Sequence, residues 1–361
     1  MSSISLDTST LNKKIDRWYE AIKEAQEEES VRLEGEIGNI INETASDRET
    51  EVYYKLILFR YHLSNKDIAK ANRTLEEIEV YENNELLQFY YYNFKGIYHY
   101  ILDEYQTSIE YFKKAQPLII FSEHQNEIGE FHYKLAATYF ELYQNALSIR
   151  HLDAAAKIFQ KNHVYKRSAD CELLLALNLQ DLKEFEEAEI HYHNALRYCD
   201  HFKDSNYKHS VLFNLGIYYF SQNHLDEAFQ YFNKTKEYFL KENNLEYATK
   251  AIYQLAKLHY VNNELEKAER YQKDGLLLAK QIHDDYFINK FKTVQIYSSN
   301  AINTHESKIF EGISYFEENK LWNDVIKVGE GLAEYFHDKK DYEKASMVSK
   351  RVILAKKNIN S

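Results

Sequence analysis

Few residues in this chain have the type and spacing that bond-making chemistry requires. His191 and His193 would be metal ligands if they shared a surface, but alternate residues on a helix diverge by about 200°, so they cannot grip one ion. The two cysteines, Cys171 and Cys199, stand alone; the ordinary role of such a residue in a helical core is small apolar packing in the reduced state. No phosphate-cradling glycine loop and no nucleophile elbow is present, so neither a metal nor a cofactor is expected. What remains is recognition chemistry. Lys134, Asn214 and Gln254 occupy one register, shared with Leu174, on a face where packing favours apolar side chains, and an asparagine there can offer a donor and an acceptor to a peptide backbone. Asn178 and Asp181 lie one turn further along the helix that carries Leu174.

The elements that would hold these residues announce themselves by an echo. Gly96, Ala136, Ala176, Gly216 and Ala256 recur forty residues apart, and Ala188, Ala228 and Ala268 each follow one of them by twelve. The spacing predicts paired helices whose small residues face each other so that the backbones approach closely. It resembles the tetratricopeptide helix-turn-helix with longer elements. Segment 285–325 is helical in pattern but degenerate in motif, and Ala333 with Ala345 marks a final copy. A single pair cannot bury its apolar face, so the pairs must stack, and the stack has an inner wall made of the first helices. The fold expected is all-α: a right-handed superhelix of about six to seven helix pairs over 85–361, preceded by a three-helix bundle over 1–66 and a connecting helix over 67–84.

In the bundle, Leu11, Ile15, Trp18 and Ile22 form one apolar stripe, Val52, Leu56, Phe59 and Leu63 another, and Val31, Ile37, Ile40 and Ile41 a third between them. Ser46 and Glu49 have the spacing of a capping box, which places Asp47 and Arg48 in the first turn of the third helix. Asp47 suits the positive end of the helix dipole and Arg48 opposes it. Ile68, Leu75 and Ile78 pattern the connecting helix.

Composition narrows the function classes. With one proline and nine glycines in 361 residues, little interrupts helix. A formal charge of −12 without a basic stripe opposes binding to nucleic acid or anionic lipid. No apolar run is long enough to span a bilayer, and the opening segment MSSISLDTSTLNKK lacks a signal core, so a cytoplasmic location is expected. Thirty-two tyrosines, including those of FYYYNF at 89–94, suit helix-pair packing.

Layout and residues together resemble the Rap family of peptide-regulated response-regulator phosphatases. LNKKIDRWYEAIK is similar to the family's opening helix and YYKLILFRYHL to its third, while LNLQDLKEFEEAEIHYHNAL and KIFEGISYFEENKL resemble two of its repeat segments. The resemblance covers essentially the full chain. It implies a cytoplasmic quorum-sensing switch in which the bundle grips a response regulator and a short signalling peptide in the repeat groove releases it, with sporulation or competence as the kind of process controlled. It assigns Asp47, Arg48 and Phe59 to the regulator side, and Asn178, Asp181 and Asn214 to the family's peptide-holding positions, with Lys134 and Gln254 added by register. Some members insert a glutamine from the start of the third helix to position water for hydrolysis of a phospho-aspartate. Here Arg48 stands at that position, and an arginine cannot accept a hydrogen bond from water, although it could stabilise phosphoryl charge. The resemblance thus favours regulation by binding over phosphatase activity; a scaffold that binds a partner protein without a signalling peptide is the other alternative.

Overall fold

The computed structural model describes residues 8–43, 47–79, 83–122 and 124–359, and among them every regular element is helical, as the periodicity predicts. Two compact units divide at Tyr198 and Cys199. The first holds α1 (Thr8–Lys23), α2 (Glu27–Glu43), α3 (Arg48–Ser64), α4 (Ile68–Glu76), α5 (Glu85–Ile101), α6 (Tyr105–Ala115), α7 (Gln125–Glu141), α8 (Asn145–Lys161), α9 (Tyr165–Asp181) and nearly all of α10 (Phe185–Cys199). The second holds α11 (Ser205–Ser221), α12 (Leu225–Lys241), α13 (Leu245–Val261), α14 (Leu265–Gln281), α15 (Asp285–Thr293), α16 (Ser299–Glu318), α17 (Trp322–Asp338) and α18 (Tyr342–Ile359). From α5 onward the helices run as consecutive A and B partners of tetratricopeptide-like pairs.

The turns keep a beat of twenty residues, one helix plus one link. Asp103, Tyr143, His163, Lys183, Asn223, Asn243, Asn263 and His283 all adopt left-handed backbone, with φ between 53° and 64°. Each ends a helix in a Schellman motif; after α13, for example, Asn263 N–H donates to Tyr260 O at 3.1 Å and Glu264 N–H to His259 O at 2.9 Å. These caps satisfy carbonyls that a helix end would otherwise orphan.

Glycine is spent inside helices instead. A Cβ on Gly96 would lie 2.7 Å from the Phe112 ring, and one on Gly216 2.7 Å from the Phe232 ring. At Gly96 and Gly216 the small residue of the echo therefore admits an aromatic ring sixteen positions on. The expected small-to-small facing is only part of the contact: at the first pair it survives as the Ser108 hydroxyl donating to Gly96 O at 2.8 Å.

In the first unit the apolar stripes of α1 and α3 are buried as expected, and their core runs without a break from Leu11 through Phe89, Phe94 and Phe112 to Phe131 and Tyr139. On α2, Val31 is 54% exposed and Leu33 takes the core position expected of it. Bundle and first repeats are also joined by a buried carboxylate: Glu127 of α7 accepts from Tyr19 Oη of α1 at 2.7 Å, Ser122 Oγ at 2.6 Å and Tyr90 Oη of α5 at 3.2 Å. Ser46 lies outside the described residues. The side chain that caps α3 is Asp47, whose carboxylate accepts from Thr50 N–H at 3.0 Å, and Glu49 accepts instead from Asn84 Nδ2 at 2.7 Å. Both cysteines are buried and free.

Candidate functional site

At the bundle end, the start of α3 sets two expected residues in water. Asp47 is exposed, and the hydrogen bonds from the Thr50 amide and hydroxyl hold its carboxyl below the usual range. Arg48 is exposed too, and its guanidinium pairs with Glu79 from the link before α5. Phe59, the third residue expected on this surface, is fully buried against Tyr98. It sits on the α3 face that meets α5, so as placed it is a core residue and offers no contact surface. Beside the start of α3 a cleft of about 360 Å³ is lined by Asp16, Glu20, Glu49, Tyr53, Tyr90 and His124.

On the A-helix face of the first unit, α7 presents Lys134 with its Nζ 5.9 Å from the ring centroids of both Tyr100 and Tyr133. Burial first, then the nearby Arg167 and Arg60 guanidinium groups, pushes its ammonium down to about 8, while Glu130 and Asp170 act the other way. Arg167 of α9 stacks 4.2 Å over Tyr133, binds Asp170 at 2.6 Å and forks onto both oxygens of Glu130.

Asn178, expected to hold a peptide, is instead locked in the core. Its Nδ2 donates to Ser148 Oγ of α8 at 3.0 Å and to Leu174 O at 2.8 Å, Asn145 Nδ2 donates to its carbonyl at 3.1 Å, and its Oδ1 is a buried acceptor with no partner. The amide joins α9 to α8 and does not face solvent. Asp181, at the end of α9, is exposed, and partial burial of its carboxyl raises its pKa against a hydrogen bond from Asn145.

In the second unit, Asn214 of α11 is half-buried and spends its Nδ2 on Ser210 O of its own helix at 3.0 Å. Gln254 of α13 is half-buried, and among the described residues its amide has no hydrogen-bond partner. One turn on, Lys257 lies 4.5 Å from the Phe220 ring centroid and 4.6 Å from that of Tyr297. Desolvation, then Lys327 and Lys290, pushes it down to about 7. Lys290 of α15 is held 2.6 Å from Asp324 of α17 and lies over the Tyr253 and Tyr286 rings. Sequence reasoning missed all three lysines. Lys257 shares its face with Gln254 at a spacing of three and was open to that argument; Lys290 and Lys327 fall in and after the degenerate repeat, where α15 stops after nine residues at a 3₁₀ turn, Val294–Tyr297, and the forty-residue register is lost.

Residues 5–66 match the family described as response regulator aspartate phosphatase H, N terminal, and residues 168–241 match a tetratricopeptide repeat family. Regulatory protein RapF of Bacillus subtilis (strain 168) is 25% identical over 360 residues, covering 94% of this chain and 93% of its own length. Transcriptional activator NprA of Geobacillus stearothermophilus is 28% identical over 348 residues, covering 93% and 85%. The crystal structure of a Rap protein complexed with Competence and Sporulation Factor shares the fold, with a TM-score of 0.77 at 24% identity over 98% of this chain and 99% of that one.

Proposed function

This chain is a divergent member of the Rap family, and from that premise we propose that it is a cytoplasmic regulator that binds a response regulator through its bundle end and is antagonised by a short signalling peptide held on its A-helix faces. The observation that carries the reading is the pair of recognition groups left unmatched on the α13 face: among the described residues Gln254 has no hydrogen-bond partner, and Lys257, held over aromatic rings, has no ion pair. Such groups are poised for a ligand with backbone carbonyls and negative charge. The Rap conjugation gene regulator of the plasmid pLS20 has been solved in complex with the Phr* peptide, which supports the peptide half of the reading. Among the described residues no helix is long and apolar enough to cross a membrane, in keeping with the cytoplasmic assignment.

The peptide acts by binding one conformation of the regulator-binding end better than another, since a ligand shifts a balance only by its differential affinity. We assign inhibition to binding rather than to hydrolysis, because Arg48, exposed and paired to Glu79, stands where the family resemblance expects a glutamine, and a guanidinium cannot accept a hydrogen bond from the water it would have to orient.

The test is to follow phosphate decay on the host's sporulation-type and competence-type response regulators with wild type and with Arg48→Gln, while measuring binding calorimetrically. Binding with unchanged decay is the expected result for wild type. Accelerated decay by wild type would overturn the assignment to binding alone, and fast decay only with Arg48→Gln would show an intact docking surface that lacks the water-positioning group.

A further inference from the structure

We propose that Lys257, Lys290 and Lys327 form a carboxylate subsite on the A-helix face of the second unit, which takes the free C-terminal carboxylate of a short peptide. The proposal rests on the peptide reading above and adds to it the end of the ligand that is recognised.

The cluster is built by α13, α15 and α17 together with the 3₁₀ turn Val294–Tyr297, which carries Tyr297 against Lys257. Its positive charges are not matched. Asp324 is the carboxylate that pairs within it, and both of its oxygens are taken: Lys290 Nζ donates to Oδ1 at 2.6 Å and Tyr286 Oη to Oδ2 at 3.1 Å. Lys257 has no ion-pair partner among the described residues; its neighbours are two rings and two other lysines. Lys327 reaches solvent and likewise has no ion pair among the described residues.

A chain with a formal charge of −12 has carboxylates in excess, yet among the described residues it leaves Lys257 and Lys327 without an ion pair near Lys290. Like charges held together in a partly desolvated place are unfavourable until an anion arrives. Burial and its two lysine neighbours lower Lys257 to about 7, which is the signature of that unmet demand. The chemistry suits a carboxylate: Lys257 and Lys327 are compact point charges with rotatable donors, able to meet the single negative charge that a peptide carries at its C-terminus. The Phe220 and Tyr297 rings both hold Lys257 within cation–π distance, so little side-chain freedom is lost when the anion binds. Gln254, one turn before Lys257 with its amide open, is placed to meet the last peptide group before the terminus.

The probes are pools of random hexapeptides passed over the immobilised full chain, with the retained members counted by mass spectrometry. One pool lacks Asp and Glu and ends in a free acid, a second has the same composition but a C-terminal amide, and a third is amidated with Asp and Glu included. Wild type should retain the acid pool roughly tenfold better than its amide counterpart, the size expected of one charged hydrogen bond. Lys257→Gln and the exposed Lys327→Gln should each erase that preference, while Asn214→Ala lowers retention of both pools alike. Selective, Lys257-dependent retention of the third pool would support the carboxylate subsite but move its occupant from the terminus to a side chain. Equal retention of the first two pools, unchanged in Lys257→Gln, would overturn the subsite and leave the peptide reading standing. Retention of no pool at all would overturn the peptide reading and the subsite with it.

Discussion

Two cationic clusters on A-helix faces, one in each unit, differ in their cations, one lysine with two arginines against three lysines, and in their carboxylates, two against one. In the first unit, Arg167 pairs with Glu130 and Asp170, both of which also act on Lys134 against the nearby Arg60, and Lys134 is pushed down to about 8. In the second, Asp324 pairs with Lys290 and acts on Lys327, while Lys257 beside them has no ion pair among the described residues and is pushed down to about 7. Both clusters lay their cations over aromatic rings. The aromatic bed therefore fixes where a cation sits, and the number of nearby carboxylates decides whether its charge is spent internally or kept for a ligand. The first cluster is mainly a brace between α7 and α9, while the second is a receptor in waiting.

The sharpest way to break this comparison is to remove a carboxylate from each. Lys290 and Asp324 are each 14% exposed, so Asp324→Asn leaves a largely buried lysine without its partner and should cost about 3 kcal/mol. Asp170→Asn should cost about 1 kcal/mol, because Arg167 keeps its fork onto Glu130. Urea unfolding of the two variants measures the difference. Equal losses would mean that the second cluster holds a carboxylate in reserve and that the asymmetry is false.

A smaller effect comes from the lysines themselves. A lysine whose pKa is lower folded than unfolded binds fewer protons in the native state, so the stability it contributes rises with pH: from about 7 for Lys257 and about 8 for Lys134, up to the unfolded value near 10.4. Lys257→Met should accordingly raise Tm by about 2–4 °C at pH 6 and have little effect near pH 10, with Lys134→Met showing a weaker version of the same trend. The same lowering makes Lys257 the better nucleophile at pH 7.5. Limiting acetic anhydride should label it roughly tenfold faster than an exposed lysine such as Lys339, with Lys134 between them. Mass spectrometry reads the order, and labelling of Lys134 ahead of Lys257 would reverse the ranking of the two clusters.

The architecture was open to sequence reasoning because close helix approach leaves small residues at fixed intervals, and Gly96 and Gly216 carry that demand in plain view. The bundle was legible for the same reason, its stripes repeating at the helical period. The site was legible only in part. Helical spacing says which residues share a face, but a helix inside a stack buries more than one face, and nothing in the spacing of Phe59 or Asn178 separates the buried side from the open one. Both went to the core, one against Tyr98 and the other against Ser148. The Ser46 capping box competed with Asp47 one residue later, and both types are strong caps, so only the geometry could choose. Lys290 and Lys327 escaped because the repeat that should have registered them is shortened at α15.

Asn214 supplies the finest test, because its expected stability effect is the smallest and its expected functional effect is not. Its amide donates to Ser210 O one turn back, a bond that a half-buried side chain exchanges for water at little net gain. Asn214→Ala should therefore move unfolding free energy by no more than about 0.5 kcal/mol. If the residue also holds a peptide backbone, the variant should need roughly tenfold more peptide to release the regulator, while its affinity for the regulator stays the same. Titrating peptide against a preformed regulator complex separates these effects. An unchanged titration would confine peptide recognition in the second unit to the lysine cluster and its open glutamine, and would draw the contrast between the two units more sharply.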